Sequence, residues 1–296
     1  MDLTTPYLGR FAPTPSGPLH LGSMVAAVGS YLDARAHRGS WFVRIDDLDE
    51  PRVVPGASES ILDCLQRFGM RWDGDVAYQR LKSSRYASAF ETLRASDAVY
   101  PCACSRREVE QAGMAGAEAA VYPGTCRNGM PEGRTARAWR MRTTGVRIRF
   151  DDKIQGLVEQ DLAADIGDFV LARADGVPSY HLACVVDDAE SGITHVVRGA
   201  DLVNSTPRQI LVQQHLGFAG PEYLHLPVVV NRHGEKLSKQ TRAPAVDPSN
   251  AAAILRRILQ FLGQEVPRDQ NLEDLWEKAI AGWSRVRVPP TARVDL

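Results

Sequence analysis

Two lysines and a serine fall within four positions, Lys236, Ser238 and Lys239, in the glycine-containing stretch "NRHGEKLSKQ" that follows an apolar run. Two flexible ammonium groups of this kind suit a triphosphate whose charge grows on a leaving pyrophosphate. Far upstream, "APTPSGPLHLGS" (12–23) sets Pro13, Pro15 and Pro18 among Gly17 and Gly22, with His20 at the mouth of a helical pattern. Proline fixes φ and glycine tolerates φ > 0, so together they hold a turn in one unusual shape. A helix mouth presents free N–H groups and a positive dipole end, which suits a nucleotide approaching the backbone at Gly17 and Gly22 with His20 beside its phosphates. The spacing is neither G-x-G-x-x-G nor G-x-x-x-x-G-K-[ST], so a dinucleotide fold and a P-loop are both unsupported. Either stretch alone is a weak signal, because solvated lysine loops and helix-capping turns are common. Together they point to nucleotide chemistry.

A second constellation is sulfur. Cys102-x-Cys104 with Cys126 offers three thiolates in a loop-rich segment, a donor set suited to zinc. Spacing does not supply the fourth ligand, since no histidine lies between 38 and 180; Glu118 and water are open choices. Cys64, within a helical pattern, and Cys184, within the apolar run "HLACVV" read as a strand, are expected in the core. His37, His181, His195, His215, His225 and His233 are read as structural or surface residues. Between Arg134 and Arg149 there are six arginines and no acid; Arg140 with Arg142, and Arg147 with Arg149, share strand faces that read equally as solvated or RNA-facing.

The elements that must position these groups follow from periodicity. Residues 7–13 read as a strand ending at proline, 20–36 as a helix, and 41–45 as a short buried strand. Helices near 56–68 and 83–96 follow, and this strand–helix alternation predicts an α/β fold with a parallel sheet and crossover helices. From about 100 to 185 the rhythm breaks into cysteines, glycines, arginine-rich strands and an Asp175-Gly176 hairpin signal, which reads as an insertion. The rhythm returns with "STPRQILVQQHLGF" and "LHLPVVV", and helices near 248–263 and 271–283 close the sequence. A net charge of −1 gives no overall support to nucleic-acid binding. No apolar run reaches membrane-spanning length and the first residues lack a signal-peptide pattern, so a cytoplasmic location is expected.

Arg10 to Gly22 resembles the HIGH signature of class I aminoacyl-tRNA synthetases, and Lys236-Leu237-Ser238-Lys239-Gln240 resembles their KMSKS loop. The form "RFAPTPSG" with "RIDDLDEPR" (44–52) is similar to the glutamyl branch, over about residues 8–245. The resemblance implies a class I Rossmann-like catalytic domain at 1–245, interrupted by a zinc-containing insertion, and a short helical region at 246–296. A glutamyl-tRNA synthetase would continue into a large anticodon-binding region where this sequence stops. Together with "YPCAC…YPGTC" (100–126), that shortness is similar to the truncated glutamyl-queuosine tRNA(Asp) synthetases.

By that resemblance the substrates are ATP with Mg²⁺ and L-glutamate, and the acceptor is queuosine in the anticodon loop of tRNA(Asp). Glutamate contacts map onto Arg10, Phe11, Ala12, Pro13, Thr14, Asp46, Tyr180 and Arg198. Nucleotide contacts map onto Pro13, Gly17, His20, Gly22, Lys236, Ser238 and Lys239, with His20, Lys236 and Lys239 as the catalytic groups. One structural zinc would take Cys102, Cys104, Cys126 and, as the resemblance suggests, Tyr122. The branch has glutamate where this sequence has Asp46, leaving open whether Asp46 or Asp47 serves. The competing readings are a short glutamyl-tRNA synthetase that charges a tRNA 3′ end, and a zinc-containing RNA-binding module without catalysis.

Overall fold

The computed structural model describes residues 6–116, 119–230, 244–268, 271–291 and 293–295. The first half runs β1 (Leu8–Phe11), α1 (Leu21–Ala36), β2 (Ser40–Ile45), α2 (Ala57–Arg67), β3 (Ala77–Tyr78), α3 (Ser83–Ala95) and β4 (Val99–Cys102). A loop-rich stretch then carries α4 (Arg106–Ala112), β5 (Met114–Ala115), β6 (Ala120–Val121) and β7 (Ala138–Met141). Next come β8 (Arg147–Asp152), β9 (Gly156–Asp161), α5 (Leu162–Asp165), β10 (Val170–Arg173), α6 (Tyr180–Glu190) and β11 (His195–Gly199). The chain closes with α7 (Thr206–Leu216), β12 (Glu222–Leu226), β13 (Val228–Val230), α8 (Ala251–Phe261), α9 (Leu272–Ala281) and β14 (Arg293–Asp295).

Seven strands form the main sheet in the order β3-β2-β1-β11-β12-β8-β9, parallel except for the β8–β9 hairpin. The helices cover its faces, and α1 crosses it closely: a Cβ on Gly29 would come within 2.4 Å of Leu226. The expected insertion is therefore not continuous over 100–185. Residues 147–161 rejoin the main sheet, and only β4, β7 and β10 make the separate three-stranded sheet that carries the cysteines. The reason lies in pairing. β8 pairs in parallel with β12 through Asp152 opposite Tyr223, and burial alternates along β8 because one of its faces covers the core.

Two further expectations change. "HLACVV" lies in α6 and not in a strand, since a short apolar run is equally at home in a buried helix. Arg140 is not on a solvated strand face; it is buried in β7. The helices α8 and α9 pack into the same apolar cluster as α1 and α2, through Leu255, Ile258, Leu275 and Trp276. The Trp276 indole N–H donates to the Phe68 carbonyl at 2.7 Å, and Arg285 closes on buried Asp33 at 2.7 and 2.8 Å. No described helix is long and apolar enough to cross a membrane.

Candidate active site

Ligands of open parallel sheets sit beyond the carboxyl ends of the strands. Here those ends carry Arg10 on β1, Arg44 on β2, Arg198 on β11 and His225 on β12. The turn from Ala12 to Leu19 is tied through its carbonyls to the backbone that follows β2. The Pro13 carbonyl accepts from Asp46 N at 3.0 Å and the Pro15 carbonyl from Val54 N at 2.9 Å. Gly17 sits at φ +127°, a conformation that a side chain would strain. His20 caps α1: its Nδ1 accepts from Ser23 N at 3.3 Å, and its Nε2 lies 3.1 Å from Ser23 Oγ. Beyond the turn, the chain returns at Ala245 to bridge His20, with Val246 N donating to the Leu19 carbonyl.

These ends enclose a cavity of about 590 Å³. Its wall includes Arg10, Phe11, Ala12, Pro13, Thr14, His20, Gly22, Tyr180 and Arg198, nine of the expected contacts brought together. Arg52 and Asp201 also line it. Gly17 shapes the turn without entering the wall, and Asp46 stands outside it. Lys236, Ser238, Lys239 and Glu118 lie outside the described residues.

Asp46 instead faces Arg44, whose Nε donates to its Oδ1 at 2.6 Å. Arg44 Nη1 continues to Asp188 Oδ1 at 2.6 Å, and Arg10 grips the same carboxylate through Nε (3.1 Å) and Nη2 (3.0 Å). Asp187, the next residue on α6, takes Lys82 (3.2 Å), Gln79 (2.7 Å) and the Tyr86 hydroxyl (3.0 Å). Burial alone would raise the Asp188 carboxyl, yet Arg10 and Arg44 hold it well below the usual carboxylate range. Burial raises Asp46 as well, and there the pull of Arg44 does not fully offset it. Asp47 is engaged elsewhere, accepting from Arg80 N at 2.9 Å.

Arg198 is held differently. Its Nε donates to His225 Nε2 at 3.1 Å, Nη1 to the Tyr180 hydroxyl at 3.3 Å, and Nη2 to Thr206 Oγ1 (2.7 Å) and Gln209 Oε1 (2.8 Å). Burial pushes His225 below its usual pKa, so all four partners are neutral. A buried guanidinium that bonds to no carboxylate among the described residues is poised to take one from a ligand.

In the separate lobe, the Sγ atoms of Cys102, Cys104 and Cys126 lie within 4.8 Å of one another. Cys104 and Cys126 Sγ are 3.7 Å apart, matching the edge of about 3.8 Å that a tetrahedron with zinc–sulfur arms of about 2.3 Å requires. Tyr122 Oη stands 3.4 Å from Cys102 Sγ and 3.7 Å from Cys104 Sγ. Arg140 stacks 3.8 Å above the Tyr122 ring and donates Nε–H to Cys102 Sγ at 3.2 Å. Burial raises the Cys102 thiol, but bonds with Tyr122 and Arg140 more than offset it. A larger groove of about 850 Å³ runs beside this lobe. Its Arg94, Arg127 and Arg142 are matched by Glu91, Asp168 and Asp97, so no unmatched charge marks it as a site.

Residues 8–254 match the family model described as tRNA synthetases class I (E and Q), catalytic domain. The chain belongs to that family. The enzyme is thus an aminoacyl-tRNA ligase, for which ATP with Mg²⁺ is a substrate and tRNA a partner. A glutamyl-Q tRNA(Asp) synthetase of Aromatoleum aromaticum is 55% identical over 291 residues, covering 97% of this chain and 92% of its own. Another, of Chromobacterium violaceum, is 53% identical over 284 residues, covering 96% and 95%. Among solved structures, a glutamate tRNA ligase from Elizabethkingia meningosepticum in complex with its amino acid aligns with TM-score 0.81 at 23% identity. That alignment covers 98% of this chain and 67% of the other, and it shows the fold.

Several residues that build the enzyme's site are not singled out by the sequence. Arg44, Asp187 and Asp188 neutralise or support Arg10 and Asp46, while Thr206, Gln209 and His225 surround Arg198 and Asp152 holds His225. Two signals were present. Asp187-Asp188 directly follows the apolar run "HLACVV", and His225 is a lone polar residue in "LHLPVVV"; each, if buried, demands a partner.

Proposed function

We propose that the enzyme activates L-glutamate with ATP and transfers it to the queuosine base at the anticodon wobble position of tRNA(Asp). The observation that carries the amino-acid choice is Arg198, a buried cation in the cavity wall whose four partners among the described residues are all neutral. The side-chain carboxylate of glutamate supplies the absent anion. Glutamine would leave the guanidinium buried against an amide, which supports a strong preference for the acid. Relatives named glutamyl-Q tRNA(Asp) synthetase, aligned over 92% and 95% of their own lengths, support the acceptor.

In the first step a glutamate α-carboxylate oxygen bonds to the α-phosphorus of ATP, the bond to the bridging oxygen breaks, and pyrophosphate leaves. In the second, a queuosine hydroxyl oxygen bonds to the acyl carbon, AMP departs with the former bonding pair, and the hydroxyl proton is released. No side-chain nucleophile enters either step. Catalysis is positioning plus charge stabilisation, assigned to His20, Lys236, Lys239 and Mg²⁺. Gly22, the backbone from Pro13 to Gly17 and Ser238 support the nucleotide in this reading. Arg10, Phe11, Ala12, Pro13, Thr14, Tyr180 and Arg198 hold the amino acid. Asp46 enters as the neutraliser of Arg44, behind the cavity wall, and not as a direct ligand of the ammonium. The cysteine lobe is read as a structural zinc site with Cys102, Cys104, Cys126 and Tyr122 as ligands, a metal that would fix the lobe's loops.

Glutamate-dependent ATP–pyrophosphate exchange should proceed without tRNA. Labelled glutamate should then pass to tRNA(Asp) carrying queuosine, survive removal of the 3′ CCA end, and fail on queuosine-free tRNA. Charging of queuosine-free tRNA that is lost on CCA trimming would replace this reading with 3′-end aminoacylation. Absence of exchange would remove the activation step.

A further inference from the structure

Arg198 and His225 are direct register partners on the parallel strands β11 and β12, so both side chains leave the same face of the sheet. Arg198 carries only donors, and its Nε–H is aimed at His225 Nε2. That contact is a hydrogen bond only while Nε2 has no proton. The tautomer is decided one strand further on. Asp152, at the end of β8, uses Oδ1 to accept from the backbone N–H groups of Ile154 (3.0 Å), Gln155 (2.8 Å) and His225 (3.2 Å). Its Oδ2 lies 2.5 Å from His225 Nδ1. An ionised carboxylate only accepts, so the proton sits on Nδ1 and the lone pair faces Arg198. All three side chains are buried, at 1%, 0% and 5% exposure for Asp152, His225 and Arg198.

We propose that His225, with its tautomer fixed by Asp152, is the positioning residue that aims Arg198 at the carboxylate of the amino-acid substrate. It does not touch substrate; it acts through Arg198. The proposal rests on the cavity being the glutamate site. It explains how a buried guanidinium with no neutralising carboxylate among the described residues is held firmly: a neutral acceptor orients the Nε edge and leaves the positive charge for the ligand. Thr206 Oγ1, 3.2 Å from His225 Nε2 and 2.7 Å from Arg198 Nη2, closes the same triangle.

Asp152→Asn isolates this role. The three backbone N–H groups keep the amide oxygen on their side, so the new NH₂ faces Nδ1 and drives the imidazole proton to Nε2. Two donors then oppose each other at Arg198. The expected result in glutamate-dependent pyrophosphate exchange is a glutamate KM raised about tenfold or more, the scale for a lost hydrogen bond to a charged group, with ATP KM unchanged. His225→Phe, which has no acceptor, should behave in the same way. His225→Gln places an amide oxygen near the Nε2 position and should keep glutamate KM within about twofold of the parent, whatever it does to the unfolding midpoint. A merely structural role would lower the midpoint in all three variants without separating glutamate KM from ATP KM. Folded Asp152→Asn with the parent's glutamate KM would overturn the proposal; should that variant not fold, equal glutamate KM in His225→Phe and His225→Gln would do so. Absence of glutamate-dependent exchange in the parent enzyme would be a failure of the functional reading, and is distinguished by that control.

Discussion

Two arginines at the ends of neighbouring strands, Arg10 on β1 and Arg198 on β11, face one cavity from different surroundings, one anionic and one neutral. Arg10 shares Asp188 with Arg44 in a cluster where Asp46, Asp187, Asp188 and Lys82 complete the balance of charge. Arg198 has imidazole, hydroxyls and an amide. The first environment holds the fold; the second leaves a charge available. A binding site can thus be read from which buried cation lacks an anion, even where both line the same wall.

The contrast breaks first at Asp188. Asp188→Asn leaves two buried guanidinium groups short of their shared anion, and should cost about 3–5 kcal/mol of unfolding free energy in urea. Arg198→Met should cost less stability, and lower kcat/KM for glutamate by an amount equivalent to about 2–4 kcal/mol in pyrophosphate exchange. Equal stability losses in the two variants would abolish the distinction drawn between them.

Acid should reveal the same asymmetry. Asp188, Asp33, Asp152 and Asp168 are each held below the usual carboxylate range: burial raises them, and hydrogen bonds and neighbouring cations outweigh it. A carboxyl whose pKa is depressed by folding adds stability above its unfolded value, about 3.9, and that stability is lost as pH falls through the folded value. Urea midpoints should therefore drop between pH 7 and pH 3. Asp46 is raised, the opposite sign: its contribution is present at low pH and lost as pH rises through the folded value. Asp46→Asn should consequently cost less at pH 7 than Asp188→Asn, measured by the same titration.

The smallest effect on the cavity is expected from the separate lobe. Purified enzyme should carry about one zinc, and Cys102→Ser should lose it with local loosening around residues 102–126, seen as faster amide exchange there. The global unfolding midpoint should shift less than in Asp188→Asn. Metal-free enzyme in elemental analysis would remove the zinc assignment.

Much of the frame was legible because local signals agreed. Leu21, Met24, Val25, Val28 and Leu32 set α1 by spacing, and the prolines before it fixed where the turn lies. Arg10, His20, Tyr180 and Arg198 were found through motif resemblance, and the cavity gathers all four. What stayed hidden was partnership across the sequence. Asp188 meets Arg10 across 178 positions and Arg44 across 144, and no period in the sequence encodes such a pairing. Arg140 read as one of many exposed arginines because composition cannot show that an aromatic ring and a thiol wait beneath it. Asp46 was placed in the cavity by motif position, whereas its short side chain is held by Arg44 two residues before it.

The register of β11 against β12 has a consequence for folding fidelity. Because Arg198 pairs with His225, the two strands that form the cavity floor also decide which side chains meet there. A one-residue slip would set Arg198 beside Leu226 or Leu224 and turn His225 to the opposite face, out of reach of both Asp152 and Arg198. Such a misfolded sheet would leave Arg198 with Tyr180, Thr206 and Gln209, and Asp152 with the N–H groups of Ile154 and Gln155, yet take the imidazole away from both Arg198 Nε and Asp152 Oδ2. The imidazole therefore acts as a checksum on strand pairing, and only the register that assembles the site sets it between Asp152 and Arg198.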